Sequence, residues 1–318
     1  MIDLVAVGEL LIDFASVSAG SDGYPTLAAQ PGGAPGNFLA ALQRYGCRAA
    51  MIAKVGDDMF GRLLIRTLSG LGIETRGVIA DPACFTTLAF VALDETGNRS
   101  FSFARKPGAD TRLTERELDL SLIDEARALH FGSLSLTDEP ARSSTQAAIA
   151  RAKAQGKLVS FDPNLRKPLW PSEDAAREQI EWGLRQADVV KISDEEIEFL
   201  WHLSPEQGAR KLLDEYGVSL VYATLGANGC YAANRDACVR VHAPRGIRAV
   251  DTTGAGDIFG GSAMSRLLQT GKAPGELTRE ELSSIARFAC CAASLSTMAR
   301  GGIGSVPAEE DVLALMKA

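Results

Sequence analysis

Over the second half of this chain, short apolar runs alternate with longer helical patterns, and that alternation leaves few folds open. Strand-like runs at 128–131, 158–161, 189–192 and 218–224 are separated by helical patterns at 140–155, 175–187 and 205–216. Such runs have the length of buried strands and are too short for buried helices. A helix between successive strands returns the chain to the same sheet edge, so the strands run parallel and helices cover both faces. The first half repeats the unit. A run at 4–7 stops at Gly8, a helical pattern at 38–42 closes at Gly46, a strand spans 49–55, and a helix over 58–71 ends at Gly72. The expected fold is α/β, a mostly parallel central sheet between helices.

Two hairpins interrupt this rhythm. Strand-like segments at 86–93 and 100–104 flank Asp94-Glu95-Thr96-Gly97-Asn98, which reads as a hairpin loop. Phe101, Phe103 and Arg105 alternate with Ser100, Ser102 and Ala104, so one face of this flap is aromatic and suited to cover a site or a partner subunit. Segments 231–233 and 238–241 form an edge hairpin around 234–236. With no internal repeat or linker, residues 1–318 read as one domain carrying a β-lid built from about 10–30 and 85–107.

Charge and cysteine usage narrow the partners. The net charge is −7 and the isoelectric point about 5.2, a surface that disfavours nucleic acid and acidic membranes. The first 14 residues carry Asp3, Glu9 and Asp13 and no basic residue, unlike a secretory leader. The longest uncharged stretch, 23–43, is broken by Pro25, Pro31 and Pro35, so no membrane span is expected. The six cysteines form no C-x-x-C pair, and the three histidines stand far apart. Reduced thiols, no zinc site and a cytoplasmic location follow as expectations. The P-loop pattern G-x-x-x-x-G-K-S/T is absent, as is G-x-G-x-x-G after the first strand.

The chemistry concentrates in glycine-rich loops that run into helices. Asp251-Thr252-Thr253-Gly254-Ala255-Gly256-Asp257 precedes an apolar, small-residue run at 258–264. Unpaired N–H groups and the helix dipole make such a terminus an anion site, and glycines let the backbone approach a ligand. Asp257 falls in the first turn, where a carboxylate could take a proton from a hydroxyl while the N–H groups hold the phosphate it attacks. Read as structure alone, these residues are a Thr-capped helix start with an acidic first turn. Pro31-Gly32-Gly33-Ala34-Pro35-Gly36-Asn37 is a second such loop, able to meet a polyhydroxyl ligand or simply to form a turn capped by Asn37. Asp13 sits in an apolar strand-like segment, either facing water or at the sheet edge where open α/β folds bind ligands.

Together the Gly32-Gly33-Ala34-Pro35-Gly36-Asn37 and 251–257 loops resemble the paired signatures of the ribokinase-like (PfkB) carbohydrate kinases, in order and separation. The chain is most similar to the bacterial fructokinases among them. Gly8-Glu9-Leu10-Leu11-Ile12-Asp13, Arg105-Lys106-Pro107-Gly108-Ala109-Asp110, Phe161-Asp162-Pro163-Asn164-Leu165-Arg166 and Arg300-Gly301-Gly302-Ile303-Gly304-Ser305 carry that likeness. It implies a three-layer sandwich with a β-lid over the sugar and transfer of the ATP γ-phosphoryl to a sugar hydroxyl. Asp257 would be the base, with the N–H groups of Gly254, Ala255 and Gly256 as anion hole. Asp13, Gly32, Gly33, Asn37 and Arg166 would hold the sugar, with Phe103 and Arg105 arriving from the lid. Asn164, Lys191, Glu196, Thr224, Gly226 and Gly229 would serve the nucleotide and Mg²⁺. Asp251, Thr253, Thr297, Arg300, Gly302 and Ser305 would surround K⁺, mostly through backbone oxygens. A homodimer through the lid also follows from the likeness. One departure stands out: the family's Asn-x-x-Glu motif reads Ser193-Asp194-Glu195-Glu196 here, so Glu196 matches and the Asn does not. These residues also form a capping box, and Lys191 also reads as a solvated strand-end lysine.

Fructose is the expected substrate. A 2-keto-3-deoxygluconate kinase is the competing reading, since Arg105 and Arg166 could pair the keto-acid's carboxylate. A sugar or nucleotide sensor that has lost catalysis is the alternative from another class.

Overall fold

The computed structural model describes residues 2–19, 24–93 and 99–317. In chain order the strands are β1 (Ile2–Val7), β2 (Leu11–Ala19), β3 (Pro25–Gly32), β4 (Ala49–Gly56), β5 (Glu74–Asp81), β6 (Thr87–Leu93) and β7 (Arg99–Ala104). They continue with β8 (Ala126–Gly132), β9 (Leu158–Asp162), β10 (Val189–Ser193), β11 (Leu220–Thr224), β12 (Cys230–Ala233) and β13 (Cys238–Val241).

Nine of them form one sheet in the order β13-β12-β11-β10-β9-β8-β1-β4-β5. From β11 to β5 every pairing is parallel, and the β11–β12 and β12–β13 pairings at the other edge are antiparallel. The side-chain alternation of a strand explains why the sheet needs helices on both faces. Leu4 and Ala6 of β1 pack into one core with the helices Ala34–Arg44, Ala255–Thr270 and Arg279–Ser296. Val5 and Val7 pack into the other, with Ala141–Ala154, Glu173–Leu184 and Pro205–Glu215.

The smaller sheet has the order β3-β2-β6-β7. Its β2–β6 pairing is parallel and its outer pairings are antiparallel. Phe14 stacks on Phe90 at 5.3 Å and meets Phe60 edge-on at 5.6 Å, tying this sheet to the body of the molecule. The expected hairpin loop at 94–98 lies outside the described residues, as does the side chain of Phe101.

Several elements exceed what periodicity indicates. β3 contains Pro25 and Pro31, which an edge strand tolerates because its outer N–H groups need no partner. β5 mixes Glu74, Arg76 and Asp81 with apolar residues because it too is an edge, half-buried along its length. The short helix Leu120–Glu125 and the C-terminal helix Glu309–Lys317 also lack a sequence signal strong enough to assign them. Among the described residues no helix is long and apolar enough to cross a membrane.

Because β1 and β8 to β11 run parallel, their C-terminal ends deliver Gly8, Gly132, Asp162, Ser193 and Thr224 to one edge of the sheet. Open α/β sheets bind ligands at that edge.

Candidate active site

The helix Ala255–Thr270 begins at Gly254, which is left-handed at φ 76° and supplies no side-chain cap. The Thr-capped reading of this terminus therefore does not apply. A Cβ on Gly254 would come within 2.9 Å of Gly302 Cα and 3.0 Å of Asn37 Nδ2, so only glycine lets these three segments meet. Asp257 lies in the first turn and is buried. Its Oδ2 accepts a 2.8 Å hydrogen bond from Asn37 Nδ2, across 220 residues of chain. The two glycine-rich loops are thus one structure.

Around that contact lies a small polar cavity of about 160 Å³, lined by Glu9, Asp13, Gly33, Asn37, Phe103, Asn164, Arg166, Lys191, Thr252, Thr253, Gly254, Gly256 and Asp257 among others. Burial pushes the Asp257 carboxyl above its ordinary range, opposed by the Asn37 hydrogen bond and by Lys191 and Arg166. Burial likewise lifts Asp13 to about 7, with Arg166 pulling down and Asp257 and Asp251 pushing up. Gly32 lines nothing itself, but a Cβ there would overlap the Asp13 carboxylate, so its absence makes room for that acid. Asn37 Oδ1 is buried without a hydrogen-bond partner and packs against Gly302, where a Cβ would overlap it, so glycine is required there too.

Another wall of the cavity is built by the ends of β9 and β10. Lys191 Nζ lies 3.0 Å from Asp162 Oδ2 and 3.2 Å from Oδ1, and both residues are buried. Burial alone would lower the Lys191 ammonium, but Asp162, Glu196 and Asp257 outweigh it and hold the group protonated. Glu196 closes the expected capping box with Ser193. Its other oxygen accepts from Leu165 N at 2.8 Å, fastening the turn that carries Asn164 and Arg166. Asn164 is left-handed at φ 41° and lines the cavity with Arg166.

A second cavity of about 280 Å³ opens beyond Gly256. Its walls are Thr224, Gly226, Ala227, Gly229, Pro244, Ile247, Ala249, Phe259, Ala293 and Thr297, and it shares Thr252 and Gly256 with the first. This is a mostly apolar slot with backbone polar groups, suited to a flat ring. Gly226 and Gly229 have φ of 53° and 97°, conformations that strain other residues.

The residues expected around a monovalent cation come together, but their oxygens meet each other. Asp251 Oδ1 accepts from Thr253 N and Oγ1, and Oδ2 from Gly301 N. The Thr297 carbonyl accepts from Val250 N and Asp251 N, and the Gly302 carbonyl from Ser305 N and Oγ. The side chain of Arg300 is exposed. Asp251 ties the Thr253 turn to Gly301, holding the segments of the expected set together. For a divalent ion, no group of three or more His, Cys, Asp or Glu side chains that could hold a metal occurs among the described residues. Asn164 and Glu196 fit an ion held chiefly by phosphate oxygens and water, as Mg²⁺ is beside nucleotides.

One expected residue is not brought into this group. Arg105 lines a larger hollow of about 1000 Å³ on the flank of the smaller sheet. It is 4% exposed. Its guanidinium bonds Asp110 at 2.7 Å, Thr137 Oγ1 at 2.7 Å and the Leu134 carbonyl at 2.8 Å, so its donors already hold the 105–110 turn to the body. Two residues inside the site had carried no role. Glu9 Oε1 accepts from Ala34 N at 3.1 Å, while its Oε2 is buried without a partner; burial raises its carboxyl to about 7. Asp162 is the other. An acid embedded between apolar strand residues is the signal common to both.

Comparison with known proteins agrees with this geometry. The model for the pfkB family carbohydrate kinases matches residues 1–309. Fructokinase-1 of Oryza sativa subsp. japonica is 41% identical over 318 residues, spanning 99% of this chain and 97% of the relative. The crystal structure of a fructokinase with bound ATP from Xylella fastidiosa superposes with a TM-score of 0.90 at 30% identity, covering 100% of this chain and 99% of the other. The fructokinase of Vibrio cholerae O395, in a form with fructose, ADP and calcium ion bound, superposes with a TM-score of 0.88 at 32% identity, covering 99% of each chain. With its two signature loops joined at Asn37 and Asp257 and the family model spanning almost its whole length, this chain belongs to the pfkB family of carbohydrate kinases.

Proposed function

We propose that this kinase is a fructokinase, transferring the γ-phosphoryl of ATP to fructose to give fructose 6-phosphate and ADP. The observation that carries this is the 2.8 Å Asn37–Asp257 contact. It puts an acid with raised proton affinity beside a polar cavity and a helix N-terminus. The similar proteins, fructokinases at 30–41% identity, support fructose as the sugar.

In this reading the fructose hydroxyls bind Asp13, the Asn37 amide and the Gly33 backbone. Asn37 holds one Asp257 oxygen, leaving the other to receive the proton of the attacking hydroxyl. The hydroxyl oxygen forms its bond to the γ-phosphorus as the bond to the ADP oxygen breaks. Lys191 and the N–H groups at 254–256 stabilise the charge on the transferring group. A magnesium ion, held by the phosphates near Asn164 and Glu196, would screen the charge that develops on the leaving ADP. The nucleotide ring would lie in the slot of Thr224, Gly226 and Gly229. Phe103 and the smaller sheet would exclude water, acting as the lid. Potassium would lie among the backbone oxygens of 297–305, and no step here depends on it. A homodimer through the smaller sheet and a cytoplasmic location complete the reading; exposed Leu27 and Phe85 support the first, and six free cysteines support the second.

For a keto-acid substrate Arg105 is already paired to Asp110, which leaves Arg166 to meet a carboxylate, in a cavity that also holds Glu9, Asp13 and Asp257. The test is ADP release with fructose, 2-keto-3-deoxygluconate, ribose and adenosine. Fructose should exceed the keto-acid by at least about tenfold in kcat/KM, roughly 1.4 kcal/mol of transition-state discrimination. A preference for the keto-acid would overturn the assignment, and binding without turnover would indicate a sensor.

A further inference from the structure

We propose that Asp162 is a positioning residue for phosphoryl transfer: it anchors the Lys191 ammonium at the phosphate end of the site and keeps it off Asp257. This rests on the reading above, in which the phosphates meet Lys191.

The geometry isolates the lysine. Asp162 is the last residue of β9, and Lys191 stands in the adjacent parallel strand β10. Lys191 shares with Phe38, His130, Ser160, Asp162 and Tyr222 the walls of a residual cavity of only about 10 Å³. His130 is one wall of it. Its ring stacks on Phe38 at 3.7 Å, its Nδ1 meets Ser160 Oγ at 3.1 Å, and burial and Lys191 keep it neutral. The carboxylates whose charge acts on the ammonium are Asp162 from β9, Glu196 from the helix Asp194–Trp201 and Asp257 from the helix Ala255–Thr270. Glu196 has both oxygens engaged by Leu165 N and Ser193 N. The real competition is therefore between Asp162 and Asp257.

Asp162 wins it with both oxygens, at 3.0 and 3.2 Å from Nζ. One of those oxygens also accepts from Asn164 N at 3.1 Å, so a single carboxylate ties the lysine to the Asn164 turn. The result places Nζ 3.0 Å from where a Gly256 Cβ would stand, directly beside the helix terminus. If the lysine swung to Asp257 instead, two functions would suffer together. The base would lose proton affinity to a cation, and the phosphoryl would lose a donor.

The test is a cycle of Asp162→Asn, Lys191→Met and the double variant, each measured for kcat and both KM values. Affinities for a non-hydrolysable ATP analogue and for AMP are read by calorimetry. Asparagine keeps the shape and the acceptor for Asn164 N while removing the charge. Asp162→Asn should lower kcat/KM for MgATP about tenfold, and Lys191→Met about 100-fold, the scale for one charge-stabilising donor. Because Asp162 acts through Lys191, the double variant should match Lys191→Met within about threefold. AMP affinity should be unchanged throughout, while affinity for the ATP analogue falls. Losses that multiply in the double variant, or an Asp162→Asn variant that loses AMP and ATP-analogue affinity alike, would overturn the proposal. An undiminished Lys191→Met would instead remove Lys191 from the phosphates and the proposal with it, leaving the preference for fructose to stand or fall by its own assay.

Discussion

The two cavities that share Thr252 and Gly256 recognise in opposite ways. On one side the walls are side chains: Asp13, Asn37, Arg166 and Asp257 converge from four distant segments. On the other they are largely backbone, with glycines at positive φ and small apolar residues forming a slot. The first arrangement discriminates, because a wrong substrate strands a buried polar group; the second accepts any ring of the right thickness. Under the proposed assignment of the two cavities, specificity for the acceptor and tolerance for the donor are the expectation.

The division can be broken most severely at the base. Asp257→Asn preserves shape and removes basicity. Turnover should fall about 10²–10⁴-fold, while the KM for fructose changes only a few-fold. A variant within a few-fold of wild type would take Asp257 out of the chemistry. The next effect should separate the cavities. Asp13→Asn removes a charged partner of a sugar hydroxyl, a loss of about 1.5–3 kcal/mol, or roughly 10- to 100-fold in kcat/KM for fructose, with the KM for ATP untouched. Parallel changes in both KM values would show that the cavities are not independent.

The converse perturbation belongs to the slot. A Cβ on Gly229 would overlap the Val241 carbonyl at φ 97°, whereas Gly226 at φ 53° opens onto free space. Gly226→Ala should therefore cost only the left-handed backbone penalty of about 1–2 kcal/mol. Gly229→Ala should cost more, and both should raise the KM for ATP and spare that for fructose. Equal effects of the two variants would mean that the close approach to Val241 does not matter.

The smallest expected effect is in stability. Burial raises Glu9 and Asp13 to about 7, above the 4.5 and 3.8 of the free side chains. Between those limits the folded chain binds more protons than the unfolded one. This contribution is complete below the unfolded values and is lost as pH rises through about 7. Without ligand, the melting temperature should rise on going from pH 8 to pH 6, and Asp13→Asn should flatten that rise. An unchanged slope would mean that Asp13 is solvated.

Much of this molecule was readable along the chain. The parallel sheet follows from apolar runs such as 189–192 spaced by helical patterns, because a two-residue period and a helical period encode which side of each element is buried. The glycine-rich loops were readable for the same reason, since φ values such as the 76° of Gly254 are a local demand that glycine meets. β3 was hidden by its prolines, which matter only to a strand paired on both sides.

Arg105 shows where local reading ends. Its position after an aromatic strand suits a substrate contact, yet its guanidinium is consumed by Asp110, Thr137 and Leu134, the last two from a segment about 30 residues further on. Glu9 and Asp162 were passed over for the same reason. Periodicity states that a side chain is buried, whereas its proton affinity and its partner depend on which charges arrive within a few ångströms. The sequence alone therefore determined the layers, the loops and the family likeness. Only the tertiary structure decided which of the buried acids meets an asparagine amide, which a lysine and which an arginine, because electrostatic energy depends on distance through space and not on separation along the chain.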